Sequence, residues 1–333
     1  MNFSTNNDYI YLPSKKNPKV ALAIDNASLT RNSFKLYNPF SKKAKILKFI
    51  VKFSVLYCNS LFKFFFSSKV NIHSDFIIEL EKKIGQSLNV SIYFSTDKNK
   101  VVLQLQSKES LIIGYLKLAI NNVGNNHIKN EVFAAKFLSC KEIIDSNYLL
   151  LEGVYEGWNY CLLKELKGVI GVVSDENIKL IINTIETKDA FVLSEHPRVL
   201  DIREKLELYG FENLLLLLNK SIVKINKSFK VVYEHGDFVD WNIIETYNGN
   251  YCIFDLEYFN KNGLEYMDLF KIYYHRGSLI EKKTGIKLIN FMQLNIKSIF
   301  FKELFIIFLL KEITIKCEEK LNFRIEKNIL SLL

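Results

Sequence analysis

Tyr233-Glu234-His235-Gly236-Asp237-Phe238-Val239-Asp240-Trp241-Asn242 is the stretch from which the rest of the chain can be read. A strand-like run, Phe229 to Tyr233, leads into it. A second, Tyr251 to Phe254, follows and ends on Asp255-Leu256-Glu257. Between them lies Tyr247-Asn248-Gly249-Asn250, the asparagine-glycine signal of a tight hairpin. The order strand, polar loop, short strand, hairpin, strand, acidic loop should bring Asp237, Asn242 and Asp255 to one end of a small hairpin. Such a set suits a metal-phosphate site. Phosphoryl transfer needs a carboxylate to receive the acceptor's proton and ligands that hold Mg²⁺ on the phosphates. Magnesium takes hard oxygen donors and keeps several waters, so one carboxylate and one amide oxygen suffice. Asp237 is the expected base, with Asn242 and Asp255 as the expected metal ligands.

Upstream, three strand candidates, Val90–Phe94, Val101–Gln106 and Leu111–Ile120, form an antiparallel meander with polar turns between them. An Asn/Gly-rich turn, Asn121–Asn126, precedes a helix expected over His127–Lys141, and two more strands are expected over Tyr148–Val154 and Tyr160–Leu166. Lys117 stands in an otherwise apolar strand, where an isolated ammonium is costly. Glu131, opening the helix, is the only carboxylate from Leu111 to Cys140. A lysine pinned by that glutamate could hold nucleotide phosphates. Beyond Gly168 the pattern turns helical: Ser174–Lys188, Pro197–Tyr209, Glu212–Lys224, and from Tyr266 to the C-terminus. A β-rich region followed by a mostly helical one is an α+β arrangement.

At 333 residues the chain can form one large or two moderate cores. Its net charge of +9 would suit an anionic partner, but arginines are few and the lysines are spread along the chain, so nucleic acid is not expected. The five cysteines are odd in number, widely spaced and set in apolar sequence, which predicts buried thiols in a reducing compartment. The polar N-terminus lacks the features of a signal peptide, and a cytoplasmic location is expected. Residues 1–40 read as polar and loop-like, with one short strand over Val20–Ile24. Lys42–Phe66 reads as an amphipathic helix with Lys45, Lys48, Lys52 and Lys63 on one face. It is expected to pack its Phe/Ile/Leu face on the rest of the protein, a membrane surface being the alternative.

His235-Gly236-Asp237, Asn242, Asp255-Leu256-Glu257 and the downstream Asp268 in Gly263-Leu264-Glu265-Tyr266-Met267-Asp268-Leu269 together resemble the signature of the aminoglycoside phosphotransferase and choline kinase group. Within it, Asp237-Phe238 and Trp241-Asn242 are similar to phosphotransferase-like proteins of bacterial surface-polysaccharide clusters. The resemblance implies a two-lobed protein-kinase-like fold, with a five-strand antiparallel lobe over 75–166, a helical lobe over 167–333, and 1–74 as an accessory region. It implies Mg²⁺ and ATP (or GTP) as cofactors, and transfer of the γ-phosphate to a hydroxyl of a small molecule, a sugar or glycan precursor being one candidate. Lys117, held by Glu131, would anchor phosphates. The backbone around Glu165 and Leu166 would be the hinge that reads adenine. The first turn, Ser95–Lys100, has no glycine, so Ser95, Thr96 and backbone amides would cover the phosphates instead. A nucleotide-binding pseudokinase or interaction module without turnover is the alternative.

Overall fold

A computed structural model of the chain describes residues 8–37, 42–57, 68–69, 75–94 and 99–333. The chain divides into two compact units, Met1–Ser139 with Asp145–Glu165, and Cys140–Ile144 with Leu166–Leu333.

The first unit is built on one sheet. Its middle strands are β4 (Asn89–Phe94), β5 (Lys100–Gln106) and β6 (Ile112–Ala119), joined to β8 (Trp158–Lys164) and β7 (Leu149–Tyr155). These are the five strands that the meander pattern predicts, and every pairing among them is antiparallel. The sheet is nevertheless eight-stranded, because β1 (Asp8–Leu12), β2 (Val20–Ala23) and β3 (Ser68–Lys69) extend it in the order β3-β1-β2-β4-β5-β6-β8-β7. The reading of residues 1–40 as loop with one strand missed β1. Its five residues gain their extended form by pairing with β2, which a short polar-flanked run does not announce.

Helix α1 (Ala27–Ser33) is capped by Asn26, whose Oδ1 accepts from Leu29 N at 2.8 Å. Helix α2 (Lys42–Tyr57) follows; the remainder of the expected helix, to Phe66, lies outside the described residues. The packing expected of α2 is reversed. Val51 and Val55 pack into a core with Phe34, Tyr37 and Leu22, and Lys48 is half-buried on that side. Burial, then the neighbouring Lys52, hold the Lys48 ammonium below its usual pKa. The Ile46, Phe49, Ile50, Phe53 and Tyr57 face is exposed instead. Helix α3 (Asp75–Ile84) packs Phe76, Ile77 and Leu80 against the sheet residues Leu103, Leu105, Leu116, Leu118 and Tyr160.

Helix α4 spans Asn122–Cys140, beginning five residues before the expected His127. The side chain of Asn121 is the reason: its Oδ1 caps Gly124 N at 2.9 Å, so the Asn/Gly turn becomes the helix's first turn. Glu131 consequently sits mid-helix and not at its start. Gly124 is obligatory there, since a Cβ would lie 1.9 Å from the Asn99 carbonyl oxygen.

In the second unit, α5 (Asp175–Thr184) stops short of Lys188, and β10 (Glu186–Val192) follows. The polar Glu-Thr-Lys-Asp run carries no strand signal; pairing with β11 (Ser228–Glu234) imposes the conformation. β14 (Asn260–Leu264) completes that three-stranded sheet, and β9 (Gly168–Val169), β12 (Ile243–Thr246) and β13 (Tyr251–Ile253) form another. Around them lie α6 (Pro197–Leu208), α7 (Glu212–Val223), α8 (Met267–His275), α9 (Gly285–Asn295), α10 (Phe301–Glu318) and α11 (Arg324–Leu330). Helix α10 is apolar nearly all round and forms the core of this unit, with Phe305 and Phe308 stacked on Phe270 of α8 at 5.5 and 5.6 Å between ring centres. Each such buried ring contributes about 1.5–3 kcal/mol.

Among the described cysteines Cys161 is buried and Cys252 and Cys317 are partly so, whereas Cys140, at the end of α4, is exposed, against expectation. Among the described residues no helix is long and apolar enough to cross a membrane.

Candidate active site

β11 ends at Glu234, and the chain turns at His235-Gly236-Asp237. Asp268, from the first turn of α8, fixes that turn from beneath. Its two carboxylate oxygens accept from His235 N at 2.8 Å and Gly236 N at 3.0 Å. Gly236 has φ +81° and sits against Tyr258, where a Cβ would meet the carbonyl oxygen at 2.3 Å. No other residue type fits both demands. Burial, and then Glu234 nearby, push the Asp268 pKa up, and His235 and Lys311 work in the opposite direction.

His235 has the structural role that its lack of metal-ligand neighbours suggests. Its Nε2 lies 2.9 Å from the Phe254 carbonyl and its Nδ1 accepts from Asp237 N at 3.3 Å. Both contacts are satisfied with the proton on Nε2. The histidine therefore ties the loop to the end of β13.

Asp237 points outward with 23% of its side chain exposed. The Asn242 amide nitrogen donates to its Oδ2 at 3.0 Å and to its backbone oxygen at 2.9 Å. This turns the Asn242 Oδ1 away from Asp237, and no hydrogen bond within the described residues engages it. Asn242 closes a one-turn helix, Asp240–Asn242, and leads directly into β12. Ile243 pairs with Ile253, and Phe254 N donates to the Asn242 carbonyl at 3.1 Å. The hairpin thus brings Asn242 and Asp255 to the same end, as its turn signal implies. Asp255 has φ +64°, a left-handed backbone that a non-glycine residue adopts at some cost. Among the described residues there is no cluster of three or more His, Cys, Asp or Glu that could hold a metal ion. The Asn242 Oδ1 and Asp255 are hard oxygen donors of the kind magnesium takes two at a time, and they fit that ion.

Asp240 is not a candidate substrate contact. It is buried in a fork with Arg276, whose Nε and Nη2 lie 2.9 and 2.6 Å from its two oxygens, and it also accepts from Val173 N at 2.9 Å. A bidentate pair of this kind sets the loop's position.

The residue that sequence reasoning missed is Lys271. Its Nζ lies 3.4 Å from Asp237 Oδ1 and 2.7 Å from Glu312 Oε2 of α10. From there a buried ion chain continues. Lys311 lies 3.3 Å from Glu312 and 2.9 Å from Glu234, and Arg198 grips Glu234 through Nε and Nη2 at 3.1 and 3.2 Å. Burial alone would raise the pKa of Glu234 and of Glu312. The adjacent cations, Arg198 and Lys311 for one, Lys271 and Lys311 for the other, overrule it and bring each to about 2. Burial alone would likewise lower Lys271, but Glu312 and Asp237 hold it above its ordinary value. The signal was present in the sequence: Lys271 lies one helical turn after Asp268, and Lys311-Glu312 interrupts an otherwise apolar helix.

In the first unit, Lys117 Nζ lies 2.6 Å from Glu131 Oε1, so the expected ion pair forms. Glu131 is fully buried and its Oε2 has no hydrogen-bond partner among the described residues, while Lys117 keeps a little surface. Glu165 follows the end of β8, and the division between the two units falls between it and Leu166. Its carboxylate pairs with Lys35 at 3.0 Å. Ser95 and Thr96 lie outside the described residues.

No family model matches the chain, and no curated protein matches it. Solved structures do, 42 chains in all. A thermostable mutant of the aminoglycoside phosphotransferase APH(4)-Ia, in ternary complex with ADP and hygromycin B, is similar with a TM-score of 0.52 at 12% identity, over 78% of this chain and 96% of that one. The apo form gives 0.51 at 12% identity, over 77% and 96%. Choline kinase LicA from Streptococcus pneumoniae matches at 14% identity over 78% and 97%, with a TM-score of 0.43. The chain has the protein-kinase-like fold of the aminoglycoside phosphotransferase.

Proposed function

We propose that the protein is a magnesium-dependent phosphotransferase that moves the γ-phosphate of ATP or GTP to a hydroxyl of a small molecule, a sugar or glycan precursor being one candidate class. The observation that carries this reading is the construction around Asp237. The loop is bolted from below by Asp268 and His235, one carboxylate oxygen is fixed by Asn242, and Lys271 stands beside the other. So much apparatus spent on one partly exposed carboxylate supports a base and not a turn residue.

In the reaction so proposed, the acceptor's oxygen forms a bond to the γ-phosphorus as the bond to the bridging oxygen breaks. The acceptor's proton passes to Asp237, and the nucleoside diphosphate leaves. Lys271, 3.4 Å from its Oδ1, holds the Asp237 carboxylate in place until it receives that proton. Lys117, held by Glu131, binds phosphate oxygens, and the Glu165–Leu166 backbone takes the base. Ser95 and Thr96 complete the phosphate contacts. Asn242 and Asp255 would hold Mg²⁺, which when bound neutralises charge on the phosphates.

The test is Asp237→Asn in an assay of nucleotide consumption against a panel of sugars, amino alcohols and nucleotide sugars. Turnover should fall by about 10²–10⁴-fold while magnesium-nucleotide binding persists. Turnover equal to wild type removes Asp237 from the role of base.

A further inference from the structure

The net charge of +9 is local, although lysines occur throughout. From Asn26 to Ser74 the chain has nine Lys and Arg and no Asp or Glu, so the remaining residues carry 36 of each sign. Helix α2 lies in the middle of this acid-free segment. Its exposed residues Ile46, Phe49, Ile50, Phe53 and Tyr57 recur at helical spacing on one stripe, with Phe49 70% and Phe53 53% exposed. The rings of Phe49, Phe53 and Tyr57 run in file, at 6.5 and 4.6 Å between successive centres. At about 100° per residue, Lys43 falls on one flank of the stripe and Lys45 on the other, and both are exposed. The sequence beyond the helix continues in kind, with Leu61-Phe62-Lys63-Phe64-Phe65-Phe66.

We infer that this face of α2 docks on an anionic lipid bilayer, with the aromatic stripe in the acyl boundary and the flanking lysines at the phosphate level. An apolar stripe edged by cations and a tyrosine at its end is the composition of a helix that lies in a membrane interface. Lysine stems extend along such a stripe and put their charge in the headgroups. The opposite face is already occupied, since Val51 and Val55 are in the core, so the helix presents the stripe without unfolding. A second copy is the poorer occupant: it would bring another acid-free segment of nine cations against the first, with no counter-charge on either side.

The inference does not depend on phosphotransfer, and its test reads partitioning alone. The full chain is sedimented with vesicles of phosphatidylcholine, and with vesicles that also contain phosphatidylglycerol, at low and high salt. The wild type should pellet with the anionic vesicles, far less with the neutral ones, and less at high salt. Lys43→Gln and Lys45→Gln should each lower partition into anionic vesicles about fivefold. Phe49→Glu/Phe53→Glu should lower it more than tenfold while the thermal midpoint stays that of the wild type, since both rings are exposed. Absence of pelleting with either vesicle overturns the proposal, as does equal pelleting with both. A mass that doubles with concentration in the wild type but not in Phe49→Glu/Phe53→Glu also overturns it, by assigning the stripe to a second copy.

Discussion

Each unit of the molecule buries a lysine against a glutamate, and the two pairs are built to opposite plans. Lys117–Glu131 joins a strand to the helix that follows it, and one glutamate oxygen has no hydrogen-bond partner among the described residues. Lys271–Glu312 is a link in a chain that runs from Arg198 through Glu234 and Lys311 to Asp237. A buried ion pair gains little net stability over apolar residues of the same size, but removing one partner leaves a costly lone charge. The first pair therefore suits a site whose cation is to be shared with an arriving anion. The second suits a site whose carboxylate must be held in one place.

The comparison is broken most severely at Lys311, which serves two carboxylates. Lys311→Met should cost about 4 kcal/mol or more in urea unfolding, enough to threaten folding outright. A midpoint close to wild type would mean that Glu234 and Glu312 do not depend on it. Lys271→Met should cost about 3 kcal/mol. It should also lower kcat, because the Asp237 carboxylate loses the ammonium 3.4 Å away that positions it. An unchanged kcat would leave Lys271 a purely structural residue.

The second pair also carries a pH signature through His275. Burial, and then Lys271, depress the pKa of that histidine from 6.5 to about 4. The unfolded chain takes up its proton first, so stability should fall as pH drops from 6.5 toward 4, by on the order of 3 kcal/mol. Glu234 and Glu312 act lower, holding their contribution above pH 4.5 and losing it toward their folded values of about 2. His275→Phe should remove the upper step from a melting-temperature profile and leave the lower one. The smallest effect sharpens the comparison most. Lys117→Met/Glu131→Leu should change stability by less than about 1 kcal/mol while abolishing nucleotide-dependent stabilisation, whereas Lys271→Met/Glu312→Leu should remain destabilised because Asp237 and Lys311 lose partners. Equal behaviour of the two double variants would erase the distinction.

How much of this was legible depended on how far apart the partners lie in the chain. Asp237, Asn242 and Asp255 are united by one hairpin, and Lys117 and Glu131 by one strand-helix connection, so local pattern placed both sets. The ion chain joins α6, β11, α8 and α10, and no local rule pairs Lys271 with Glu312 across 41 positions. β10 was hidden because its conformation comes from β11 and not from its own polar residues. The burial of Asp240 was hidden for the same reason, its partner Arg276 being 36 positions away. The packed face of α2 was misassigned because valines and phenylalanines are equally apolar to a periodicity argument, and the fold turned the smaller ones inward.

The docking of β2 against β4 has a bearing on the protein's solubility. Strand β4 would otherwise be the margin of the sheet, with a row of amides and carbonyls open to any extended chain that passed. β2 covers part of that margin through Val20↔Tyr93 and Ala21↔Ile92, and β1 in turn covers β2. Strands β1 and β2 are thus a selvedge that keeps the weave from catching on its neighbours. A chain begun after them would keep Lys117, Asp237 and the ion chain intact and still tend to assemble edge to edge.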